Sequence, residues 1–255
     1  MRVVVVGAGL AGAACASRLV AEGVHVVVLD KSRGPGGRTA TRRATVGGVE
    51  VRFDHGSAVL QLDSLAPHVR SRVEQGRAEG VLVGWTPRVW RAGVVTPGDA
   101  VCIGIPGNNA LAAHLLRGVE VRAGVTVGQV RAFSRGWEVL DVDGARVDEA
   151  DAVVVAVPAP QAATLVREAR PDWALPLADV PYAITVVGMA AWGHAPDPGW
   201  DVALGRSPDL ARIVWQDGVP GRSAFGAFVV EAGDTLVGRI NPRDLAVALG
   251  LGFRV

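Results

Sequence analysis

The sequence predicts an α/β fold, in which a domain built on a βαβ unit is interleaved with an α+β domain. Three observations carry this prediction. A run of four valines at 3–6 opens into Gly7-Ala8-Gly9-Leu10-Ala11-Gly12, the G-x-G-x-x-G spacing of a strand–turn–helix. A second apolar stretch at 24–29 ends in Asp30, close to the ~20-residue offset of a carboxylate that binds a ribose diol. Beyond it, residues 63–96 and 183–231 read largely as short strands between Gly/Pro turns, whereas 152–157 is a continuous apolar run suited to a central parallel strand covered on both faces.

The glycines of the first motif are each required by a physical demand. Gly7 makes the tight turn, Gly9 lets a pyrophosphate approach the main chain, and Gly12 lets helix and strand pack closely. An anion then sits on the free N–H groups and the positive dipole end of the helix that starts near Leu10. A chain with 33 glycines produces isolated matches by chance, so the flanking strands and the acid are what separate this stretch from a glycine turn with no nucleotide. Together they predict a Rossmann-like dinucleotide-binding unit.

Directly after it, Arg33-Gly34-Pro35-Gly36-Gly37-Arg38-Thr39-Ala40-Thr41 fits the pattern R-x-x-G-G-R-x-x-[ST]. On these motifs the sequence resembles the two-dinucleotide-binding-domain flavoproteins of the amine oxidase and renalase type, bacterial renalase-like proteins most of all. The resemblance implies that the dinucleotide is FAD. It makes Gly7, Ala8, Gly9, Leu10, Ala11 and Gly12 candidate cofactor contacts in the turn. It adds Asp30, Lys31 and Arg33 after the second strand, then Gly36, Gly37, Arg38 and Thr41. From the residues themselves, a Gly-Gly pair lets main chain lie against a ligand, and Arg38 offers a planar fork of donors for phosphate oxygens or a flavin carbonyl. A flexible Gly-Pro-Gly turn with solvated arginines is the alternative reading.

At 255 residues, 49% hydrophobic and 20% charged, the chain has the composition of an ordinary globular protein of one large or two modest domains. Lys+Arg of 26 against Asp+Glu of 25 leaves a net charge of +1, so no global field gathers nucleic acid or an anionic membrane, and neither partner is expected. Cys15 and Cys102 are too few for a disulfide framework and are expected to be reduced and structural; no metal site is expected. Arg2 before an apolar run superficially suggests an export signal, but the glycine spacing and Asp30 explain the stretch better. With no run of ~20 uninterrupted apolar residues either, a soluble cytoplasmic protein is expected.

Taken in order, 49–53 reads as a short strand leading into Asp54-His55-Gly56-Ser57, a turn rich in hydrogen-bonding groups. In the renalase-like family the equivalent turn passes beside the isoalloxazine ring, so the resemblance makes Gly56, Ser57 and Ala58 candidate flavin contacts. His55 becomes a candidate active-site group, the alternative being a histidine solvated or hydrogen-bonded in place. Residues 65–77 read as a helix, and 81–85 and 89–95 as strands whose Trp85 and Trp90 either pack or line a substrate pocket. Asn109 is placed to cap a helix at 110–117.

Residues 119–121, 125–133 and 137–142 read as strands, and by the resemblance Val127 occupies the position whose main chain reaches the adenine. Strand 152–157 ends at Val157-Pro158, which points toward the cofactor if the sheet binds ligands at its carboxyl ends, and a helix follows at 161–170. Strands are expected at 183–192, 200–204, 211–216 and 224–231, with a last helix beginning at Asn241-Pro242. This predicts an FAD-binding domain from 1–62 and 97–165, and substrate-domain segments from 63–96 and 166–255.

Two features of the family are not legible. The closing Gly-Asp turn and glycine-rich helix are missing, Gly233-Asp234 being the one late candidate, so the chain reads as a truncated or divergent form. The amine oxidases also place a lysine near flavin N5 and clamp the amine between aromatic rings that commonly include tyrosines. Here the only lysine, Lys31, follows the ribose acid, and the only tyrosine is Tyr182. The expected function is therefore an FAD-dependent oxidoreductase, a flavin oxidase or dehydrogenase taking a hydride from a small reduced substrate onto non-covalent FAD. A nicotinamide-type dihydropyridine, a reduced nicotinamide dinucleotide, is the candidate substrate. The alternatives are a nucleotide-binding, non-catalytic remnant of such an enzyme, and an amine oxidase. No catalytic acid or base is assigned beyond His55.

Overall fold

The two apolar runs that frame the glycine motif become neighbouring parallel strands. The computed structural model describes residues 1–57, 59–61, 67–183, 185–193, 197–207, 210–222 and 224–232. In it, strand Arg2–Val6 pairs in parallel with His25–Asp30 on one side and Ala152–Val155 on the other. Glu120–Ala123 adds to the outer side of His25–Asp30, giving a four-stranded parallel sheet. This sheet belongs to the first of two units, Met1–Thr39 with Asn109–Tyr182; the second unit is Ala40–Asn108 with Ala183–Val255.

Both faces of the first sheet are covered, which is why its inner strands show no polar alternation. Side chains alternate faces along a strand, so Val3, Val5, Val26 and Val28 pack with Ala13, Ala16 and Ala112 of helices Leu10–Ala21 and Ala110–Leu115. Val4, Val6, Val27 and Leu29 face the other way. They meet Val130 and Val139 of an antiparallel sheet formed by Val127–Phe133, Gly136–Asp141 and Arg146–Ala150, and Leu165 and Ala174 of helices Ala159–Val166 and Pro171–Ala178. Each fully buried valine contributes on the order of 1.5–3 kcal/mol.

Several expected elements change in detail. Among the described residues the apolar run at 152–157 is an outer strand, not a central one; it spans Ala152–Val155, Ala156 still donating its N–H to Val6 at 2.8 Å just beyond its end, and its side chains are only half-buried. The expected helix at 161–170 starts instead at Ala159 and ends at Val166. Pro160 is tolerated in its first turn, while Arg170 leaves helical geometry (φ −144°, ψ 69°) before Pro171, which opens a separate helix. Asn109 does not cap Ala110–Leu115 through its side chain; its Nδ2 donates to the carbonyl of Pro35 at 3.4 Å.

The second unit holds a six-stranded sheet in the order Val187–Ala191, Ala227–Ala232, Leu210–Trp215, Val202–Ser207, Arg88–Arg91, Val94–Pro97. All its pairs are antiparallel except Val202–Ser207 with Arg88–Arg91. The single strand expected at 89–95 is a hairpin, because Ala92 and Gly93 both take positive φ (49° and 89°) and reverse the chain. Trp85 and Trp90 pack into this unit's cores. A smaller sheet joins Leu60–Gln61, Val101–Gly104 and Leu82–Trp85, helix Pro67–Ala78 follows the expected one closely, and Thr41–Val46 pairs with Val49–Asp54.

The unit boundaries fall at 39/40, 108/109 and 182/183, whereas the sequence pattern places them at 62/63, 96/97 and 165/166. The hairpin of Thr41–Asp54 goes with the second unit because Val51 and Phe53 share a core with Ala227 and Val229. Helix Pro171–Ala178 stays in the first because it packs on Ala159–Val166. The helix expected from Asn241 and the Gly233-Asp234 turn lie outside the described residues. Among the described residues no helix is long and apolar enough to cross a membrane.

Candidate cofactor site

The glycine turn opens onto a cavity of about 1020 Å³ in the first unit, at the carboxyl ends of its parallel strands. Val6, Leu29 and Val155 mark those ends on its wall, the position where open α/β sheets bind ligands.

Three glycines explain how the main chain is shaped there. Gly7 has φ +109° and donates its N–H to Leu29 at 2.8 Å; a Cβ on it would come within 2.6 Å of the carbonyl oxygen of Ala156. A Cβ on Gly12 would overlap the carbonyl oxygen of Gly7. A Cβ on Gly9, by contrast, would have only the Cα of Gly37 nearby, at 3.9 Å. The space beside Gly9 is a cradle that a side chain would fill.

Helix Leu10–Ala21 starts at Gly9 with no side-chain cap and no acidic residue in its first turn. Its first N–H groups therefore face the cavity as an uncompensated positive dipole end. Arg38 and Lys31 line the same space, and Lys31 Nζ donates to Gln161 Oε1 at 3.5 Å. These donors, with the cradle at Gly9, suit the diphosphate of a dinucleotide.

Asp30 has a second role that sequence spacing does not reveal. Its Oδ2 accepts the N–H of Ala8 at 2.6 Å and its Oδ1 accepts the N–H of Ser32 at 2.7 Å, so the carboxylate ties the glycine turn to the end of its strand. Each oxygen keeps a lone pair for a ribose hydroxyl. Asp30→Ala is expected to weaken ADP and FAD binding by about 1–3 kcal/mol, roughly 5- to 150-fold, and to speed hydrogen exchange at the amides of Ala8 and Ser32. Unchanged affinity in a titration of cofactor-free protein would remove Asp30 from the site.

The Gly36-Gly37 doublet lies on the glycine turn itself: Gly36 donates its N–H to Ala8 at 3.0 Å and bridges Gly9, and a Cβ on Gly37 would be 3.1 Å from the Cα of Gly9. This contact places Arg38 at the cavity wall. Arg38→Lys is expected to lower flavin occupancy markedly, because lysine cannot reproduce a planar fork. A purified variant carrying as much flavin as the parent would show that Arg38 only decorates the turn.

Of the candidate contacts, Gly7, Gly9, Leu10, Ala11, Asp30, Lys31, Gly36, Gly37, Arg38, Val127, Val157 and Pro158 come together on this cavity. Ala8 and Gly12 are buried behind the turn and shape it, and Arg33 is exposed off the wall. Thr41, His55, Gly56 and Ser57 belong to the second unit, where Thr41 Oγ1 donates to Asp54 at 2.5 Å; Ala58 lies outside the described residues. Sequence reasoning misses Gln161, Val125 and Gly128. Only Gly128 carries a signal, a glycine inside a strand, where a Cβ would come within 2.6 Å of the carbonyl oxygen of Asp141.

Fold and cavity define a Rossmann-like α/β protein with a dinucleotide site. Residues 5–75 match the NAD(P)-binding Rossmann-like domain family and residues 76–192 match the flavin containing amine oxidoreductase family. Together the matches support an FAD-dependent, amine-oxidase-like family, and the cofactor they indicate is FAD. The chain is 51% identical over 59 residues to lysine-specific histone demethylase 1 homolog 1 of Arabidopsis thaliana, covering 23% of this chain and 7% of that protein. It is 25% identical over 269 residues to the tRNA 5-methylaminomethyl-2-thiouridine biosynthesis bifunctional protein MnmC of Thiobacillus denitrificans, covering 89% of this chain and 40% of that protein. The chain thus spans less than half the length of these curated relatives.

Among solved structures, a redesigned putrescine oxidase superposes with TM-score 0.70 at 13% identity, over 98% of this chain and 81% of that one. An oxidoreductase from Methanosarcina mazei gives TM-score 0.54 at 13% identity, over 97% and 81%. At such identities the likeness is one of fold.

Proposed function

We propose that the protein is an oxidoreductase that takes a hydride from a small reduced substrate, a nicotinamide-type dihydropyridine, onto non-covalent FAD. The observation that carries this reading is the cavity at the strand ends, with an uncapped helix N-terminus, Asp30 and Arg38 around a glycine cradle. FAD supplies the hydride-accepting ring when bound; the chain binds and orients it. The helix N-terminus, Arg38 and Lys31 hold the diphosphate, Asp30 the adenosine ribose, and Val127 lies against the adenine. Gly56, Ser57 and Ala58 are proposed flavin contacts on the strength of the resemblance, as are Thr41 and Arg33 for the cofactor; His55 is the candidate active-site group.

The renalase-like choice over an amine oxidase rests on two side chains. Lys31, the only lysine, stands beside Asp30 and bonds Gln161, and Tyr182, the only tyrosine, accepts the N–H of Ala159 at 3.1 Å. Both are engaged within the first unit. A cytoplasmic setting, with no nucleic-acid or membrane partner, fits the net charge of +1.

The test is reconstitution with FAD followed by anaerobic addition of NADH. A yellow protein whose flavin band bleaches supports the proposal. Bleaching by amines but not by NADH puts the amine oxidase alternative first, and protein that stays colourless supports a non-catalytic remnant.

A further inference from the structure

Lys31 and Gln161 are 130 positions apart and stand on different walls of the first unit's cavity, Lys31 just after strand His25–Asp30 and Gln161 in the first turn of helix Ala159–Val166. The bond from Lys31 Nζ to Gln161 Oε1 at 3.5 Å joins the two walls.

What this end of the cavity receives follows from the two faces of the parallel sheet. Helix Leu10–Ala21, at whose start the diphosphate fits, packs on one face against Val3, Val5, Val26 and Val28. Helix Ala159–Val166 and the three-stranded antiparallel sheet pack on the other. Asp30 ends a strand of the sheet that separates these layers. A nucleotide with its diphosphate at Gly9 and its ribose at Asp30 therefore brings its base to the far layer, where Val125, Val127, Gln161 and Thr164 line the cavity.

Gln161, Thr164 and Leu165 share one face of their helix, at i, i+3 and i+4, and all three reach the wall. The Thr164 hydroxyl donates to the carbonyl of Pro160 at 3.3 Å. Among the described side chains on the wall, only the carboxamide of Gln161 sets a donor and an acceptor side by side in one plane. That arrangement matches N6 and N7 of adenine, whereas guanine offers two acceptors, O6 and N7, in the same places. An ammonium has donors only, so Lys31 admits one orientation of the amide, with Oε1 toward Nζ and Nε2 turned away. Oε1 keeps a second lone pair for the amino group of the base.

We infer that Gln161 selects adenine in this cavity and that Lys31 is the positioning residue that fixes its carboxamide. This rests on the cofactor reading above, and the experiment separates the two.

Cofactor-free protein is titrated with ADP, GDP and inorganic diphosphate, the last of which probes the cradle at Gly9 without a base. The wild type is expected to prefer ADP over GDP by about tenfold, within the range of a bidentate contact to one base. Gln161→Leu, of similar size, removes most of that preference and leaves diphosphate affinity unchanged. Lys31→Met lowers the preference as far, Lys31→Arg keeps it, and the double variant Lys31→Met/Gln161→Leu is no less selective than Gln161→Leu alone. Loss of the Lys31 charge weakens ADP and GDP alike, so the ratio of the two reports the amide and not the charge. Both side chains are exposed, so neither substitution opens the core. A wild type without the preference, or an unchanged ratio in Gln161→Leu, overturns the base contact. A ratio that falls in Gln161→Leu but not in Lys31→Met overturns the positioning role of Lys31. Protein that binds ADP with this preference but takes up no FAD refutes the flavin reading and leaves the base contact standing, and protein that binds neither ADP nor FAD refutes both.

Discussion

Gly12→Ala is expected to destabilise the first unit severely, whereas Gly9→Ala is expected to leave it folded and unable to bind nucleotide. The two glycines are three positions apart, in one turn, yet their surroundings differ. A Cβ on Gly12 would overlap the carbonyl oxygen of Gly7 and lie 3.2 Å from the Cβ of Ala156, so the helix must move off the strand. Overpacking of this kind costs about 1–3 kcal/mol where side chains can yield, and more where, as here, the obstacle is backbone. On Gly9 the added methyl meets only the Cα of Gly37 at 3.9 Å, and the backbone is extended at φ −71°. No strain arises, but the methyl occupies the cradle at the helix N-terminus. Thermal unfolding and ADP titration of both variants decide the matter. A stable Gly12→Ala, or a Gly9→Ala that binds ADP as the parent does, would show that the turn is not shaped for a diphosphate.

Arg222→Met should have the other large effect, a loss of about 3–5 kcal/mol, because it strands the Asp54 carboxylate in a site that water does not reach. Two further acceptors, Gly104 O and Pro220 O, lose the Arg222 donor at once, and Asn108 Oδ1 is left with the N–H of Gly104. Denaturant unfolding measures the loss, followed through the tryptophans Trp200 and Trp215, which are buried in a core of the same unit. A loss under about 1 kcal/mol, the range of exposed pairs, would mean that the site is wet and the pair weak.

Much of the first unit can be read from the chain because its determinants are local. The strand–turn–helix of residues 2–21 follows from four valines and three glycines at fixed spacing, and the parallel neighbour ending at Asp30 follows from a second apolar run. Val127 is expected on the wall through the resemblance, and Val157 and Pro158 through their place at a strand's carboxyl end; all three line the cavity. Boundaries and edges are what the chain conceals. Whether 152–157 is a central or an outer strand depends on which strands pair with it, and a valine run looks alike in either position. The hairpin at 88–97 reads as one strand because the positive φ of Ala92 has no sequence signature, Gly93 alone being suggestive.

In the second unit the determinants are separated along the chain. Asp54 is legible as part of a turn, but its partner Arg222 lies 168 positions on and Gln216 162 positions on, in a Gly/Pro-rich stretch with no motif. The same holds for the first unit's Lys31 and Gln161, 130 positions apart. Spacing and hydrophobic period, which act over a few residues, suffice to specify the dinucleotide-binding turn, its acid and the parallel character of the sheet. Only the folded chain establishes that Asp30 ties the turn it faces, that the Gly36-Gly37 doublet lies on Gly9, and that Arg222 neutralises Asp54. Those depend on where distant segments meet, and a buried charge or a close backbone approach selects its partner only once the chain has folded around it.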